Sequence, residues 1–128
     1  MKKSEDFSVK KRVRSFKYAF RGLACLFKNE HNAQIHLFIA ICVVIAGFLL
    51  NISPTEWIAI VLAIGFVLAA ESFNTAIEAL CDEVSSDYRE LIRRSKDIAA
   101  AGVVIAALTA VVIGLIVFIP KIIGLFHS

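Results

Sequence analysis

The segment that decides the fold is Trp57–Asp82, with the sequence WIAIVLAIGFVLAAESFNTAIEALCD. Its first half carries no charge, and its second half keeps a helical pattern while polar side chains enter it. Glu71, Asn74, Glu78 and Asp82 stand at positions i, i+3, i+7 and i+11, which places them on one face of a helix. The segment therefore predicts one helix that crosses a bilayer and carries its carboxylates near one end.

The composition of the whole chain is typical of a membrane protein. Of its 128 residues, 59% are hydrophobic and only 20% are charged, whereas soluble domains are about 45–50% apolar. The stretches 31–55 and 98–119 contain no Asp, Glu, Lys or Arg, and a helical span needs about 20 such residues. We expect one all-α integral membrane domain over 1–128, with transmembrane helices at about 33–52, 57–81 and 98–119.

The distribution of basic residues predicts the orientation of the chain. Nine of the fourteen Lys and Arg residues lie within 1–30, and cytoplasmic segments of membrane proteins show such an excess. The loop 51–56 has no basic residue, whereas 81–97 contains Arg and Lys. We therefore expect a multi-pass membrane protein with its N-terminus in the cytoplasm and its C-terminus outside.

The basic N-terminal segment also predicts an amphipathic interfacial helix over about 8–29. Its apolar side chains recur every three or four residues and so share one face; they are Val13, Phe16, Phe20, Leu23 and Phe27. Such a helix lies in the headgroup layer with its bases over anionic lipid, although a simple topology anchor would explain the same charges. We expect the membrane to be its partner, and no nucleic acid.

The carboxylates indicate two separate tasks. Glu71 and Glu78 are seven residues apart, about 10 Å along a helix axis, and cannot easily chelate one ion together. Glu71 lies deeper, where a carboxylate could act as a general base. Glu78 could approach Glu30 at the same depth, and two carboxylates with phosphate oxygens suit Mg²⁺. With Lys96 near the phosphates, this arrangement suits transfer from a soluble phosphate donor to a lipid hydroxyl.

Each of these features also has a plainer interpretation. A helix end that rests in the headgroup layer would account for Asp82 well but for Glu71 poorly, because two turns of helix follow it. Lys96 could be a positive-inside anchor. The predicted third span carries a small residue every four positions, at Gly102, Ala106, Ala110 and Gly114. This face predicts a homo-oligomer, with packing inside one protomer as the alternative.

Two motifs carry a resemblance to a known family. Residues 71–82 read ESFNTAIEALCD and residues 96–100 read KDIAA. They closely resemble the E-x-x-N-[ST]-A-I-E-x-x-x-D and K-D-x-A-[AS] patterns of the prokaryotic diacylglycerol kinase family. The likeness extends to SFKYAFRGL at 15–23 and to Asn29-Glu30, and so covers nearly the whole chain. Ser95 stands where a small alanine is common in the family.

The resemblance implies a homotrimeric lipid kinase of the bacterial cytoplasmic (inner) membrane that uses Mg-ATP and shares active sites between protomers. By position, Glu71 resembles the catalytic base, with Asn74 and Asp97 beside it in the catalytic site. Glu30 and Glu78 resemble the ligands of Mg²⁺. The resemblance also implies that Glu30 and Glu78 contact the nucleotide. Seven other residues are implied to contact it as well, namely Lys11, Tyr18, Asp87, Tyr88, Arg89, Lys96 and Asp97.

The sequence leaves two lipid acceptors open. The family name favours diacylglycerol, converted to phosphatidic acid, and this is the first expectation. Glu56-Trp57 and the ending 113–121 look more like a branch that phosphorylates undecaprenol to undecaprenyl phosphate. A small proton-coupled transporter is an alternative of another class, against which the carboxylates near one helix end argue. A structural or pore-forming protein would need neither Glu71 nor Lys96-Asp97.

Overall fold

The structure is a computed structural model that describes residues 8–127, all helices and short connections. Four helices follow in order: α1 at Val9–Asn29, α2 at His31–Leu49, α3 at Pro54–Val84 and α4 at Glu90–His127. The helices α2, α3 and α4 are long and apolar enough to cross a membrane, so the chain is an all-helical, multi-pass protein. Lys2 and Lys3, which contribute to the basic N-terminal segment, lie outside the described residues.

One extended residue, Glu30, separates α1 from α2. Its backbone N–H donates to the carbonyl of Leu26 and ends α1, while its own carbonyl accepts from the N–H of Gln34 in α2. The Gln34 side-chain amide reaches back to the carbonyls of Phe27 and Lys28, at 3.0 and 3.3 Å. These bonds satisfy carbonyls that the end of α1 would otherwise leave open, and they fix Glu30 at the corner between the two helices.

The connection between α2 and α3 is a tight Schellman turn. The N–H of Ile52 donates to the carbonyl of Gly47, and the N–H of Asn51 donates to that of Phe48. Asn51 has a φ of 52°, a left-handed conformation that Asn tolerates better than most residues. The turn brings α3 back alongside α2 in the opposite direction.

The start of α3 is fixed by a capping box and an ion pair. The Ser53 hydroxyl accepts from the N–H of Glu56, and the Glu56 carboxylate accepts from the N–H of Ser53. The same carboxylate lies 3.3 Å from the Lys121 ammonium near the end of α4. Because Lys121 is close to the end of its helix and Glu56 close to the start of α3, this pair aligns α4 antiparallel to α3.

The tightest helix packing is between α3 and α4. Ile52, Ile60 and Val117 form a buried cluster near the α2–α3 turn. Ala106 is fully buried, so at this position the small-residue face of α4 packs inside the protomer. Many large apolar side chains remain outside this core, and Phe38 is 68% exposed. Apolar surface on this scale is compatible with lipid or other membrane helices around it.

The helix α4 extends beyond the uncharged run 98–119 at both ends. Its first turns are charged, yet they remain helical because Arg93 pairs with Glu90 and with Asp97 at i,i+3 and i,i+4 spacing. Hydrophobicity predicts where a helix can enter a bilayer, whereas these pairs continue the helix past that boundary.

Substitution of Gly47 by Ala tests the contact that closes the α2–α3 turn. A Cβ at this position would lie 2.6 Å from the Trp57 ring, so we expect Gly47→Ala to lower the free energy of unfolding by about 1–3 kcal/mol through overpacking. Thermal unfolding in detergent measures the loss, and the emission of Trp57, the only tryptophan in the chain, reports displacement of its ring.

Gly65→Ala is the matched control, because a Cβ at Gly65 meets nothing within 4 Å. That substitution should stabilise α3 by up to about 1 kcal/mol through helix propensity. If both variants show the same stability and the same Trp57 emission, the contact does not constrain the turn.

Candidate active site

The antiparallel register of α2 and α3 places the candidate residues at matched heights. Gly47 meets Trp57 beside the turn, and further from it His36 meets Glu71. Continuing along both helices by six or seven residues leads to Glu30 at the α1–α2 corner and to Glu78 in α3. The carboxylates therefore form two levels, with Glu71 deeper in the helix pair and Glu30 and Glu78 nearer its end.

Glu71 is the most deeply buried polar residue among those described. Its exposed fraction is 1%. It follows a long apolar run on α3, and the buried residues of that run face the other helices. The nearest polar partner of its carboxylate is His36 Nε2, 3.2 Å from Oε1. The two atoms lack the alignment of a hydrogen bond, and Oε1 stays buried without a donor. A buried oxygen of this kind is costly for folding and is available to accept a proton.

Asn74 occupies the next turn of the same α3 face. It is 8% exposed, and its side-chain N–H donates to Glu78 Oε1 at 3.4 Å. Its carbonyl oxygen is buried and accepts no hydrogen bond from the described residues. Asn74 thus links the two levels of carboxylates and presents one free oxygen between them.

Two further carboxylates lie at the end of the helix pair beyond Glu71. Glu30, at the α1–α2 corner, and Glu78, on α3, are both half-buried. Within residues 8–127, no group of three or more His, Cys, Asp or Glu side chains is placed so that it could hold a metal ion by itself. The oxygen-rich set nevertheless fits Mg²⁺, which takes few protein ligands and completes its shell with water and phosphate. The buried Asn74 oxygen, which accepts no hydrogen bond from the described residues, is a further oxygen that favours a cation here.

Lys96 and Asp97 lie at the exposed start of α4, where both form ion pairs. Lys96 Nζ is 2.5 Å from Asp82 Oδ1 and joins the start of α4 to the end of α3. Asp97 Oδ2 accepts from Arg93 at 2.7 Å. The structure therefore places Lys96 one turn beyond Glu78 along α3, on the side away from Glu71. Asp82, the last residue of the polar face, is its counter-ion.

The other predicted nucleotide residues lie in two exposed regions. Asp87, Tyr88 and Arg89 belong to the connection between α3 and α4, where the Tyr88 hydroxyl donates to Glu90 at 2.9 Å. Lys11 and Tyr18 lie on α1, where the Arg21 guanidinium covers the Tyr18 ring at 5.4 Å. The described contacts do not bring Tyr18 to the carboxylate group on α3.

An apolar cavity adjoins the Glu71 level. It has a volume of about 450 Å³, lies among α2, α3 and α4, and is walled by aliphatic and aromatic side chains apart from His36. His36 therefore contacts the Glu71 carboxylate and also lines the cavity. The sequence prediction missed this residue, because it searched the first span only for Asp, Glu, Lys and Arg. The sequence feature that would have identified His36 is a histidine inside an apolar span, at the same depth as a carboxylate in the next helix.

Comparison with known proteins identifies the family of the chain. The family model described as Prokaryotic diacylglycerol kinase matches residues 17–118. The chain is 39% identical to the undecaprenol kinase of Bacillus subtilis, over 84% of this chain and 88% of that protein. It is 34% identical to the diacylglycerol kinase of Synechocystis, over 87% of this chain but only 64% of that longer protein.

A third relative, the diacylglycerol kinase of Escherichia coli K12, is 32% identical over 78% of this chain and 82% of its own length. The matched region includes the whole polar face of α3, all of α2 and α3, and α4 as far as residue 118. The chain therefore belongs to the prokaryotic diacylglycerol kinase family, a family of membrane lipid kinases.

Proposed function

We propose that the protein transfers the γ-phosphate of ATP to the hydroxyl of a membrane lipid alcohol at the inner leaflet. The single observation that carries this proposal is the buried, donor-free carboxylate oxygen of Glu71 beside an apolar cavity. A base in that position can reach a lipid hydroxyl, while Glu30 and Glu78 lie nearer the end of the helix pair, where a soluble nucleotide arrives.

In the proposed reaction, Glu71 accepts the proton of the lipid hydroxyl. The lipid oxygen then bonds to the γ-phosphorus, the bond from that phosphorus to the β-γ bridging oxygen breaks, and ADP leaves. Asn74 donates its side-chain N–H to Glu78 and so orients the Glu78 carboxylate. Glu30 and Glu78 would hold Mg²⁺, which neutralises phosphate charge as it develops.

Lys96 and Asp97 are proposed to receive the nucleotide at the exposed end. The Lys96–Asp82 pair is solvent-accessible on both sides, and exposed pairs of this kind contribute only about 0–1 kcal/mol. A triphosphate can therefore draw Lys96 away from Asp82 at little cost. Asp87, Tyr88 and Arg89 flank the same end of the protein, and Lys11 and Tyr18 would approach from α1.

The proposal includes the membrane arrangement of the chain. The N-terminus lies in the cytoplasm, the C-terminus lies outside, and α1 lies in the headgroup layer with Phe16 and Phe20 towards lipid; these rings are 66% and 67% exposed in the protomer. We further propose a homotrimer, a number that the family resemblance implies, and the large apolar side chains left exposed in one protomer are compatible with packing between protomers.

Diacylglycerol is the first candidate for the lipid acceptor, in keeping with the family name. Undecaprenol is the second candidate, favoured by the 39% identity to the undecaprenol kinase of Bacillus subtilis. Purified protein with radiolabelled ATP and vesicles containing one lipid alcohol at a time separates the two candidates by their kcat/KM values. A pH-gradient-driven solute uptake without ATP consumption would support the transporter alternative instead.

Substitution of Glu71 by Gln tests the catalytic base. We expect Glu71→Gln to lower kcat for lipid phosphorylation by about 10²–10⁴-fold, the usual contribution of a general base. Because Gln has nearly the same shape as Glu and carries no charge, the free energy of unfolding should not fall, so the loss of activity is not a loss of folding. Initial rates with ATP and thermal unfolding in detergent measure the two effects.

Glu83→Gln is the control for Glu71→Gln, because Glu83 is an exposed carboxylate on the same helix. Both its activity and its stability should match those of the unsubstituted protein. Full turnover by Glu71→Gln would refute the assignment of the base.

Substitution of Glu78 by Gln tests the proposed Mg²⁺ site. Loss of one of two carboxylates should raise the Mg²⁺ concentration for half-maximal activity by about tenfold or more, with a smaller effect on the KM for lipid. A titration of initial rate against free Mg²⁺ at saturating ATP measures the shift. If the Mg²⁺ requirement of Glu78→Gln equals that of Glu83→Gln, Glu78 is not a ligand.

A further inference from the structure

We infer that His36 is a positioning residue for Glu71, whose carboxylate it orients towards the lipid hydroxyl through a hydrogen bond from Nε2. This inference rests on the proposed function and adds a residue from α2 to a site otherwise built on α3 and the α1–α2 corner. His36 does not touch the nucleotide end of the site, and it acts through Glu71.

The first argument is the isolation of the Glu71 carboxylate. Among the described residues, His36 is its only polar contact, at 3.2 Å from Oε1, and Glu71 itself is 1% exposed. A carboxylate that accepts a proton from one direction must be held in a fixed orientation. A hydrogen bond from a donor to another lone pair of the same carboxylate provides that orientation. His36 is the donor that the fold supplies.

The second argument is the geometry of the contact. The atoms are at hydrogen-bond distance but are not aligned, so that Oε1 has no directed donor. Catalytic hydrogen bonds are often loose before substrate binds and tighten in the complex. A small rotation of the imidazole ring, whose side chain is 22% exposed, would align the Nε2–H with the carboxylate.

The third argument is the place of the ring in the protein. His36 contributes the polar part of a cavity wall that is otherwise apolar, and its Nε2 lies 3.2 Å from the Glu71 carboxylate. A lipid alcohol likewise joins a polar hydroxyl to a hydrocarbon chain, so its hydroxyl would lie near His36 and its chain in the apolar cavity. The imidazole thus lies at the boundary where the reacting hydroxyl would meet its base.

Three substitutions of His36 separate positioning from packing. His36→Leu removes the donor, His36→Asn carries an amide too short to reach Glu71, and His36→Gln places an amide nitrogen near the position of Nε2. We expect kcat for lipid phosphorylation to fall about 10–100-fold in the Leu and Asn variants, with the KM for ATP unchanged. His36→Gln should recover kcat to within about fivefold of the unsubstituted protein.

A double-mutant cycle gives the sharper test. In the Glu71→Gln background, His36→Asn should cause no further loss of residual kcat, because a positioning residue has no effect once its partner is gone. His127→Leu, at the exposed end of α4, controls for loss of a histidine and should leave kcat unchanged. Size exclusion and thermal unfolding in detergent confirm that each variant is folded, and His36→Asn carries the test if His36→Leu does not fold.

Two results would overturn the inference. One is a kcat within twofold of the unsubstituted protein in His36→Asn, and the other is a folded His36→Gln as slow as His36→Asn. If Glu71→Gln is inactive while His36→Asn is fully active, only the role of His36 fails. If Glu71→Gln is itself fully active, the proposed base fails first.

Discussion

The burial of the Glu71 carboxylate inside a bundle of apolar helices is the constraint on which the rest of the site depends. Removing a charge from water is expensive unless hydrogen bonds replace the lost solvation, and here Oε1 has none. Folding alone gives no reason to keep a carboxylate there, because a similarly sized apolar or amide side chain would be more stable. The cost is understandable if the oxygen must stay free to take a proton in a water-poor environment.

The antiparallel register of α2 and α3 turns this single buried group into a layered site. The Schellman turn at Asn51 and the contact between Gly47 and Trp57 set the register. This register determines which residues of α2 and α3 face each other further along the two helices. His36 therefore meets Glu71, and the corner residue Glu30 lies towards Glu78. Neither level contains a flexible loop, so the separation of the proposed base from the proposed metal ligands is a property of helix geometry.

The sequence was sufficient for the parts of this protein that follow a strong periodic pattern. The polar face of α3 could be predicted because a charge inside an apolar helix is rare and its spacing is unambiguous. The start of α4 could not be predicted from hydrophobicity, because the helix continues through charged residues, where Arg93 pairs with Glu90 and Asp97. His36 could not be recognised either, since its importance comes from a residue 35 positions later, and only the register of the turn brings the two together.

The two ends of the polar face differ in how easily they can rearrange, and this difference matches the two substrates of a lipid kinase. At the deep end, Glu71 is held by packing, and no charged group can replace His36 beside it without a large desolvation cost. At the exposed end, Lys96 and Asp97 are held by solvent-accessible ion pairs with Asp82 and Arg93, which exchange partners at little cost. A lipid that diffuses within the membrane needs a fixed base to meet it, whereas a highly charged nucleotide from solution needs cations that can leave one partner for another. The helix α3 connects the two conditions, because it carries the buried Glu71 and, nearer its end, the exposed Asp82 that pairs with Lys96 of α4.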